Sequence, residues 1–273
     1  MLGIRFPKSN MNLWELRSLA LSAKLDCHQV LHSALAQGVL VADESALLSK
    51  FVAFAKGKNK SIKSQLFQDL FAAFIIGKNY PKTFLEFGAT DGVSLSNSFM
   101  LDLKLGWKGA VCEPSPQWHK QLLKNRSKTK VLTDCIWKET GQELDFLVSD
   151  EGVLLTLAAF KDSDQASMPG NAAARIKNGH TIKVSTISLN DVMEQHFGGR
   201  APSYVSVDTE GSEFEILNAF NFDAYRPLVF TVEHNFTDHQ AKIDDLMERN
   251  GYLRIFPNAT AFDAWYVESG VLN

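Results

Sequence analysis

From Pro81 onward, short apolar segments alternate with segments of helical periodicity, and this alternation constrains the fold most strongly. It is typical of a parallel sheet covered by helices on both faces. A hairpin is indicated at the C-terminus, where PNATAFD joins the last two segments. We predict an α/β domain over residues 81–273 with a seven-stranded, mostly parallel sheet and a C-terminal antiparallel hairpin. The candidate strands are Thr83 to Phe87, Gly109 to Cys112, Lys130 to Thr133, Tyr204 to Val207, Leu228 to Glu233, Tyr252 to Phe256 and Ala264 to Val267.

Residues 1–80 instead show apolar positions at steps of three and four, which indicates an N-terminal helical extension. The spacing predicts one helix from Leu13 to a stop at Gly38, a second ending at Gly57, and a third over SQLFQDLFAAFII. The apolar stripe of these helices either mediates a homodimer or docks on the chain's own sheet domain.

An insert over residues 136–200 interrupts the strand and helix alternation. It contains two further strand-like segments, LDFLV and TIKVSTISL. They flank a polar stretch around Lys161 to His180, which is either a mobile surface loop or a lid that closes over a bound molecule.

Charge and cysteine content narrow the functional classes. A formal net charge of −3 and a pI near 6.2 give no global positive field, so we do not expect nucleic-acid binding. Cys27, Cys112 and Cys135 are odd in number and widely spaced, which suits neither a disulfide framework nor a zinc site. No window approaches a span of roughly 20 apolar residues. We therefore expect a cytoplasmic protein without a membrane span.

Ligands of open parallel sheets bind outside the carboxyl ends of the strands, so the residues that follow each strand matter most. The first strand has Glu86 as its next-to-last residue and is followed by a turn containing Gly88, Ala89, Asp91 and Gly92. Glycine allows close approach of the backbone to a ligand, and a helix N-terminus after the turn would offer free amides. This turn is a candidate cofactor-binding loop.

The next two strands also end in acids. Glu113, followed by Pro114, lies about 25 residues beyond the glycine turn, comparable to the acid that binds ribose hydroxyls in dinucleotide-binding sheets. Asp134 can accept the exocyclic amine of adenine while Cys135 offers an apolar surface to the ring. Because the turn departs from G-x-G-x-x-G, a pyrophosphate cofactor is disfavoured.

At this point the chain resembles a known family. The segments FLEFGATDG, AVCEPSP, VLTDC and VSVDTEGSEFEIL are similar to those of FkbM-type methyltransferases, from about Ser64 to the C-terminus. The resemblance implies a class I methyltransferase (Rossmann-like) sheet with S-adenosylmethionine as cofactor. It also implies O-methylation of a hydroxyl on a sugar, glycan or secondary metabolite. Carried over residue by residue, it sets Glu86, Gly88, Ala89, Asp91 and Gly92 around the methionine part, Glu113 with Pro114 at the ribose, Asp134 and Cys135 at the adenine, and Asp208 across the cofactor.

Methyl transfer mainly requires an enzyme to align an acceptor oxygen and to remove its proton. Asp208 and Glu210 follow the fourth strand, while Glu233 and His234 end the fifth, so we expect these four candidate catalytic residues in one crevice. His234 would titrate near neutrality, although capping the strand end is an equal alternative. Asp208, Glu210 and Glu233 are also possible ligands for Mg²⁺.

Two other functions remain open from the sequence. An NAD-dependent oxidoreductase shares the order of strand, glycine turn and acid. A catalytically silent methyltransferase-like scaffold would keep the same residues without turnover. For Trp107, Trp118 and Trp137, core packing is favoured over stacking on a sugar.

Overall fold

The computed structural model describes residues 4–40, 45–58, 61–149, 156–160 and 179–272. Within these ranges the chain forms a seven-stranded and a four-stranded sheet. The strands are β1 Thr83–Phe87, β2 Lys108–Cys112, β3 Lys130–Leu132, β4 Cys135–Trp137, β5 Glu143–Ser149, β6 Thr156–Leu157, β7 Gly179–Ser188, β8 Tyr204–Val207, β9 Val229–Glu233, β10 Tyr252–Ile255 and β11 Asp263–Glu268.

The helices pack around these sheets. They are α1 Leu13–Ser22, α2 Cys27–Ala36, α3 Ser45–Phe54, α4 Gln68–Ile76, α5 Phe99–Leu103, α6 Pro116–Asn125, α7 Leu189–Phe197, α8 Glu213–Asn218 and α9 His239–Arg249. None of the helices within the described ranges is long and apolar enough to cross a bilayer.

The large sheet has the order β10-β11-β9-β8-β1-β2-β3. Its strands pair in parallel except β11, which runs antiparallel to both β9 and β10. The predicted α/β sheet of seven strands with a C-terminal hairpin is therefore confirmed. Strand β2 pairs with one edge of β1, and β8, which comes later in the chain, pairs with the other edge. This reversal opens a crevice at the carboxyl end of β1, where open α/β sheets bind ligands.

The insert forms a second sheet of order β4-β7-β5-β6. Here β4 pairs with β7 in parallel, and β5 pairs antiparallel with both β6 and β7. The two predicted strand segments of the insert are present as β5 and β7. Most of the polar stretch from Lys161 to His180, predicted as loop or lid, lies outside the described residues.

The single helix predicted from Leu13 to Gly38 is wrong, because the chain breaks into α1 and α2. Lys24 has a φ of 55°, which ends the first helix, and the Asp26 side chain accepts from the backbone N–H of Gln29 at 3.1 Å to start the second. An apolar stripe continues across the break, so periodicity alone hides it.

The N-terminal helices bury their apolar stripe against the chain's own sheet. Leu13, Phe51 and Phe71 share one core cluster with Trp265 of β11. The rings of Phe71 and Trp265 stack with centroids 4.4 Å apart, and the N–H of Leu13 donates to Ala259 O at 2.9 Å. Burying each such large side chain contributes on the order of 1.5–3 kcal/mol. Of the two alternatives for the stripe, this packing corresponds to docking on the sheet domain.

Candidate active site

A cavity of about 310 Å³ lies at the carboxyl ends of β1, β2, β8 and β9, at the lower end of the size range of small-molecule sites. Its wall brings together most of the side chains predicted from the strand ends. The predicted residues that line it are Glu86, Gly88, Glu113, Pro114, Cys135, Asp208, Glu210 and Glu233. Those that do not line it are Ala89, Asp91, Gly92, Asp134 and His234.

Gly88 allows the loops after β1 and β8 to touch. Its φ is 67°, and a Cβ at this position would lie 2.4 Å from the backbone carbonyl oxygen of Asp208. That distance is far below an ordinary carbon to oxygen contact, and the atom it meets is backbone, which moves only with its strand. Because Gly88 has no side chain, the backbone of Asp208 can lie directly against it. The Gly88 backbone is also exposed to the cavity for the same reason.

Asp91 and Gly92 shape the turn from behind the cavity. The Asp91 carboxylate accepts from the N–H groups of Val93 and Ser94 at 2.8 and 2.7 Å. A Cβ on Gly92 would lie 2.7 Å from Leu122 Cδ1. The next helix, α5, begins only at Phe99, so the expected helix N-terminus does not directly follow the glycine turn.

Arg126, which the sequence did not indicate as a site residue, donates a hydrogen bond to this turn. It is fully buried and donates from Nε to Gly92 O at 2.6 Å, from Nη1 to Asp102 Oδ2 at 2.8 Å and from Nη2 to Ser96 Oγ at 2.6 Å. Glu86 accepts from the same Ser96 hydroxyl at 2.9 Å. A buried charge needs such complete pairing. In the sequence, one arginine after the basic helix α6 gives no sign of this role.

Asn97 presents an unsatisfied acceptor at the cavity wall. Its Nδ2 donates to Ser206 Oγ at 3.0 Å, and its N–H donates to Glu86 Oε1 at 2.7 Å. Its Oδ1 is buried without a hydrogen-bond partner. A buried carbonyl oxygen without a partner costs free energy, so a ligand N–H or O–H at this position would be stabilised.

Glu113 directly follows β2, and its side chain is almost fully buried. Oε2 accepts from Thr90 N–H at 2.9 Å, and Oε1 accepts from Ser115 N–H at 2.8 Å. Burial raises the pKa of Glu113 to about 7, partly offset by these two backbone donors. An ionised carboxylate has about four acceptor positions, so about two remain for a ligand.

Beyond Glu113, the cavity wall is apolar. Cys112, Cys135 and Ile136 line it, and Phe146 with Leu157 approach from the second sheet. Burial raises the pKa of the Cys135 thiol to about 12 and that of the Cys112 thiol well above its ordinary value, so both thiols stay neutral.

The structure does not place the Asp134 carboxylate in this wall. The backbone carbonyl of Asp134 accepts from Cys112 Sγ at 3.0 Å, and its side chain points elsewhere than the cavity lining. The expectation that Asp134 meets the ring of a bound nucleoside therefore has no geometric support, whereas the expectation of an apolar surface at Cys135 does.

At the other end of the cavity, Asp208, Glu210 and Glu233 bring one carboxylate oxygen each within 4.8 Å of one another. Burial, then the charge of Glu210, raises the pKa of Asp208 well above its ordinary value. Burial, then the charge of Asp208, does the same for Glu233. Two adjacent carboxylates in such a setting share a proton. Asn235 donates from Nδ2 to Glu233 Oε2 at 2.8 Å and to Glu210 Oε2 at 3.5 Å.

His234 does not face the same crevice, contrary to expectation. The histidine follows the end of β9, between Glu233 and Asn235; both of these neighbours line the cavity, whereas the histidine does not. Its Nδ1 accepts from the N–H of Phe236 at 3.0 Å, and its Nε2 is buried without a partner. Burial, together with the charge of Arg254, lowers the pKa of His234 to about 4. The ring is therefore neutral at physiological pH.

Residues outside the recognised motifs complete the cavity. Trp14 and Gln65 of the N-terminal extension line it, as does Phe262 before β11. Their positions follow from tertiary docking, which no local pattern encodes. Trp107 and Trp137 are buried, as predicted for core residues.

Comparison with known proteins identifies a family. The family model of the methyltransferase FkbM domain matches residues 86–254. No curated protein gives a significant match.

Solved structures are similar to the chain only at low identity. One is a methyltransferase FkbM from Methylobacillus flagellatus KT, at 13% identity and a TM-score of 0.44, covering 87% of this chain. The chain spans only 58% of the length of that protein. Another is a precorrin-6y C5,15-methyltransferase from Geobacter metallireducens GS-15, at 12% identity and a TM-score of 0.37, covering 76% of this chain and 89% of that one.

A third is the CMeT domain of the citrinin polyketide synthase, at 10% identity and a TM-score of 0.36, covering 93% of this chain and 68% of that one. The family assignment rests on the family model, which spans more than half of the chain and includes the ends of β1, β2, β8 and β9. The chain belongs to the FkbM methyltransferase family.

Proposed function

We propose that the protein transfers a methyl group from S-adenosylmethionine to a hydroxyl of a small-molecule or glycan acceptor. The observation that carries this proposal is the convergence of three acids, Glu86, Glu113 and Asp208, on one cavity from the ends of three adjacent strands. An acid at the end of each strand suits a ligand that has hydroxyl and ammonium donors along its length.

The residues of the cavity fit such a ligand part by part. The remaining acceptor positions of Glu113 suit the two ribose hydroxyls, and the apolar wall at Cys135 and Ile136 suits the adenine ring. The unpartnered Oδ1 of Asn97, next to Glu86, suits the ammonium group of the methionine part. Bound there, S-adenosylmethionine would supply an electrophilic methyl group on its sulfonium.

We assign proton removal to Asp208 and Glu233. Their raised pKa values bring a carboxylate closer to the range of an effective general base at neutral pH. The acceptor hydroxyl would donate to this pair, which takes its proton as the oxygen is alkylated. Glu210 and Asn235 then orient the pair. We assign His234 no part in this step because it does not line the cavity.

A proton shared between Asp208 and Glu233 would reduce the repulsion within this acid cluster without Mg²⁺. Asn235 already donates to Glu233 and Glu210, so part of the lone-pair capacity that a hard cation needs is occupied. We therefore expect methyl transfer to persist after treatment with a chelator.

Calorimetric titration of S-adenosylhomocysteine and of NAD tests the proposal. We expect micromolar binding of the thioether and none of NAD, whereas tight NAD binding alone would favour an oxidoreductase. Incubation with methyl-labelled cofactor and a panel of hydroxylated acceptors then separates an enzyme from a silent scaffold. Binding without transfer to any acceptor would favour the scaffold.

A further inference from the structure

The mouth of the cavity is lined by large apolar side chains that remain open to solvent. Trp14 is 45% exposed and Leu95 is 48% exposed, and both border the cavity. Phe262 completes the group, with its ring 6.4 Å from that of Trp14 at an angle of 72°. A cluster of exposed apolar groups around a polar cavity is typical of a binding surface.

The mouth is held in place by the fold. Asn12 accepts from Glu15 N–H at 3.0 Å, and Glu15 Oε2 accepts from Asn12 N–H at 2.9 Å, which fixes the start of α1. The adjacent Leu13 donates its N–H to Ala259 O at 2.9 Å, so α1 is anchored to the loop that carries Phe262. Trp14 therefore projects from an ordered helix end.

The same loop connects the mouth to the acids at the base of the cavity. Phe262 O accepts from the N–H groups of His234 and Asn235 at 2.9 and 3.1 Å. Asn235 in turn donates to Glu233. The aromatic pair at the mouth and the carboxylates that we assign to proton removal therefore belong to one connected unit.

The charge of the base of the cavity restricts what the mouth can bind. Asp208, Glu210 and Glu233 repel a phosphate or carboxylate on the acceptor. A ring that carries hydroxyls and also has an apolar face can stack on Trp14 and extend a hydroxyl towards the acids.

We infer that Trp14, Leu95 and Phe262 form the acceptor subsite, and that it takes an uncharged hydroxylated ring compound with an apolar face. This inference rests on the proposed function. It specifies the residues that bind the acceptor and the class of acceptor that is rejected. Trp14 and Phe262 lie outside the matched residues 86–254, so the N-terminal extension and the C-terminal hairpin set specificity in this chain.

Saturation-transfer NMR of the full chain with saturating S-adenosylhomocysteine tests the subsite. The probes are methyl β-D-glucopyranoside, which is uncharged, and glucose 6-phosphate, which is anionic. We expect the wild type to bind the first and reject the second. Trp14→Ala should weaken glucoside binding at least about tenfold, as truncating a central tryptophan commonly does. Trp14→Phe should retain binding within about threefold.

Leu21→Ala provides the matched control, since Leu21 lies on the same helix, is 57% exposed and does not line the cavity. Leu95→Ala is a second mouth variant on a different element. Each variant is first titrated with S-adenosylhomocysteine, whose affinity should stay unchanged.

Three results would overturn the inference: no glucoside binding by the wild type, equal binding of both probes, or unchanged binding in Trp14→Ala and Leu95→Ala. If S-adenosylhomocysteine itself does not bind to the wild type, the proposed function fails instead. The two failures are therefore distinguishable.

Discussion

Replacing Gly88 with alanine probes the contact between the loops that follow β1 and β8. The new Cβ would lie 2.4 Å from Asp208 O, about 1 Å closer than an ordinary contact. Gly106 offers a matched control, because its φ of 70° is similar while a Cβ there meets nothing within 4 Å. The two variants therefore share the backbone cost and differ in the steric one.

The magnitude follows from these two costs. An alanine held at positive φ costs about 1–2 kcal/mol, and forcing extra volume into a packed site typically costs about 1–3 kcal/mol more. Gly106→Ala should therefore lose about 1–2 kcal/mol of unfolding free energy, and Gly88→Ala about 2–5 kcal/mol. At about 2–4 °C per kcal/mol, the two melting temperatures should separate by several degrees.

Thermal melts and calorimetric titration of both variants measure the difference. We expect Gly106→Ala to bind S-adenosylhomocysteine as the wild type does, and Gly88→Ala to lose at least about tenfold in affinity, or about 1.4 kcal/mol. A displacement of about 1 Å at Asp208 should also lower methyl transfer by about 100-fold. Identical behaviour of the two variants would refute the inference that this close approach sets the site.

Four further predictions follow from the buried charges. Arg126→Met leaves Glu86 without its cationic neighbour and should lower the free energy of unfolding in denaturant by about 3–5 kcal/mol. Arg226→Met, at an exposed pair, should lower it by less than about 1 kcal/mol; equal losses would contradict the role of Arg126 in holding the glycine turn. Glu113→Gln should weaken S-adenosylhomocysteine binding about tenfold at pH 8. Because the pKa of Glu113 is raised to about 7, wild-type affinity should also fall below that pH while the variant stays flat in calorimetry across pH; a flat wild-type profile would count against this assignment. Since the folded-state pKa of Asp208 is raised, its ionisation costs stability as pH rises past the unfolded value, so Asp208→Asn should melt higher than the wild type at pH 8 but not at pH 4. Asp208→Asn also removes the negative neighbour that raises the pKa of Glu233, so it should move the acid limb of the residual pH–rate profile to lower pH; a shift to higher pH would contradict the coupled pair.

The sheet was predictable because its signal is local. Each of the seven strands is a short apolar segment between turn residues, and the residues that follow β1, β2, β8 and β9 are polar where a parallel sheet would bind a ligand. Glu113, Asp208 and Glu233 could therefore be placed at one crevice from their positions at strand ends, whereas the place of Glu86 in the site was implied by the family resemblance.

Orientation at the strand ends was less predictable. His234 lies between Glu233 and Asn235, yet only those two neighbours line the cavity. The three residues span the end of β9, and Asn235 has a φ of 46°, so a strand pattern does not predict their directions. Asp134 differs in the same way from its neighbour Cys135. The break between α1 and α2 depends on one residue at positive φ, Lys24, within an unbroken apolar stripe.

The remaining features depend on contacts between distant segments. Arg126 reaches the glycine turn 34 positions earlier in the chain, and Trp14 reaches Phe262 through the docking of α1 on the sheet. No periodicity or motif records such pairs, because they arise only when the elements pack.

We propose that the acids at the ends of three adjacent strands bind S-adenosylmethionine. The decisive experiment is a crystal structure of the protein with S-adenosylhomocysteine. We expect the ribose hydroxyls to donate to Glu113, the adenine to lie against Cys135 and Ile136, and the ligand sulfur to face Asp208 and Glu233. An empty cavity at saturating ligand, or a ligand bound away from Glu113, would contradict it.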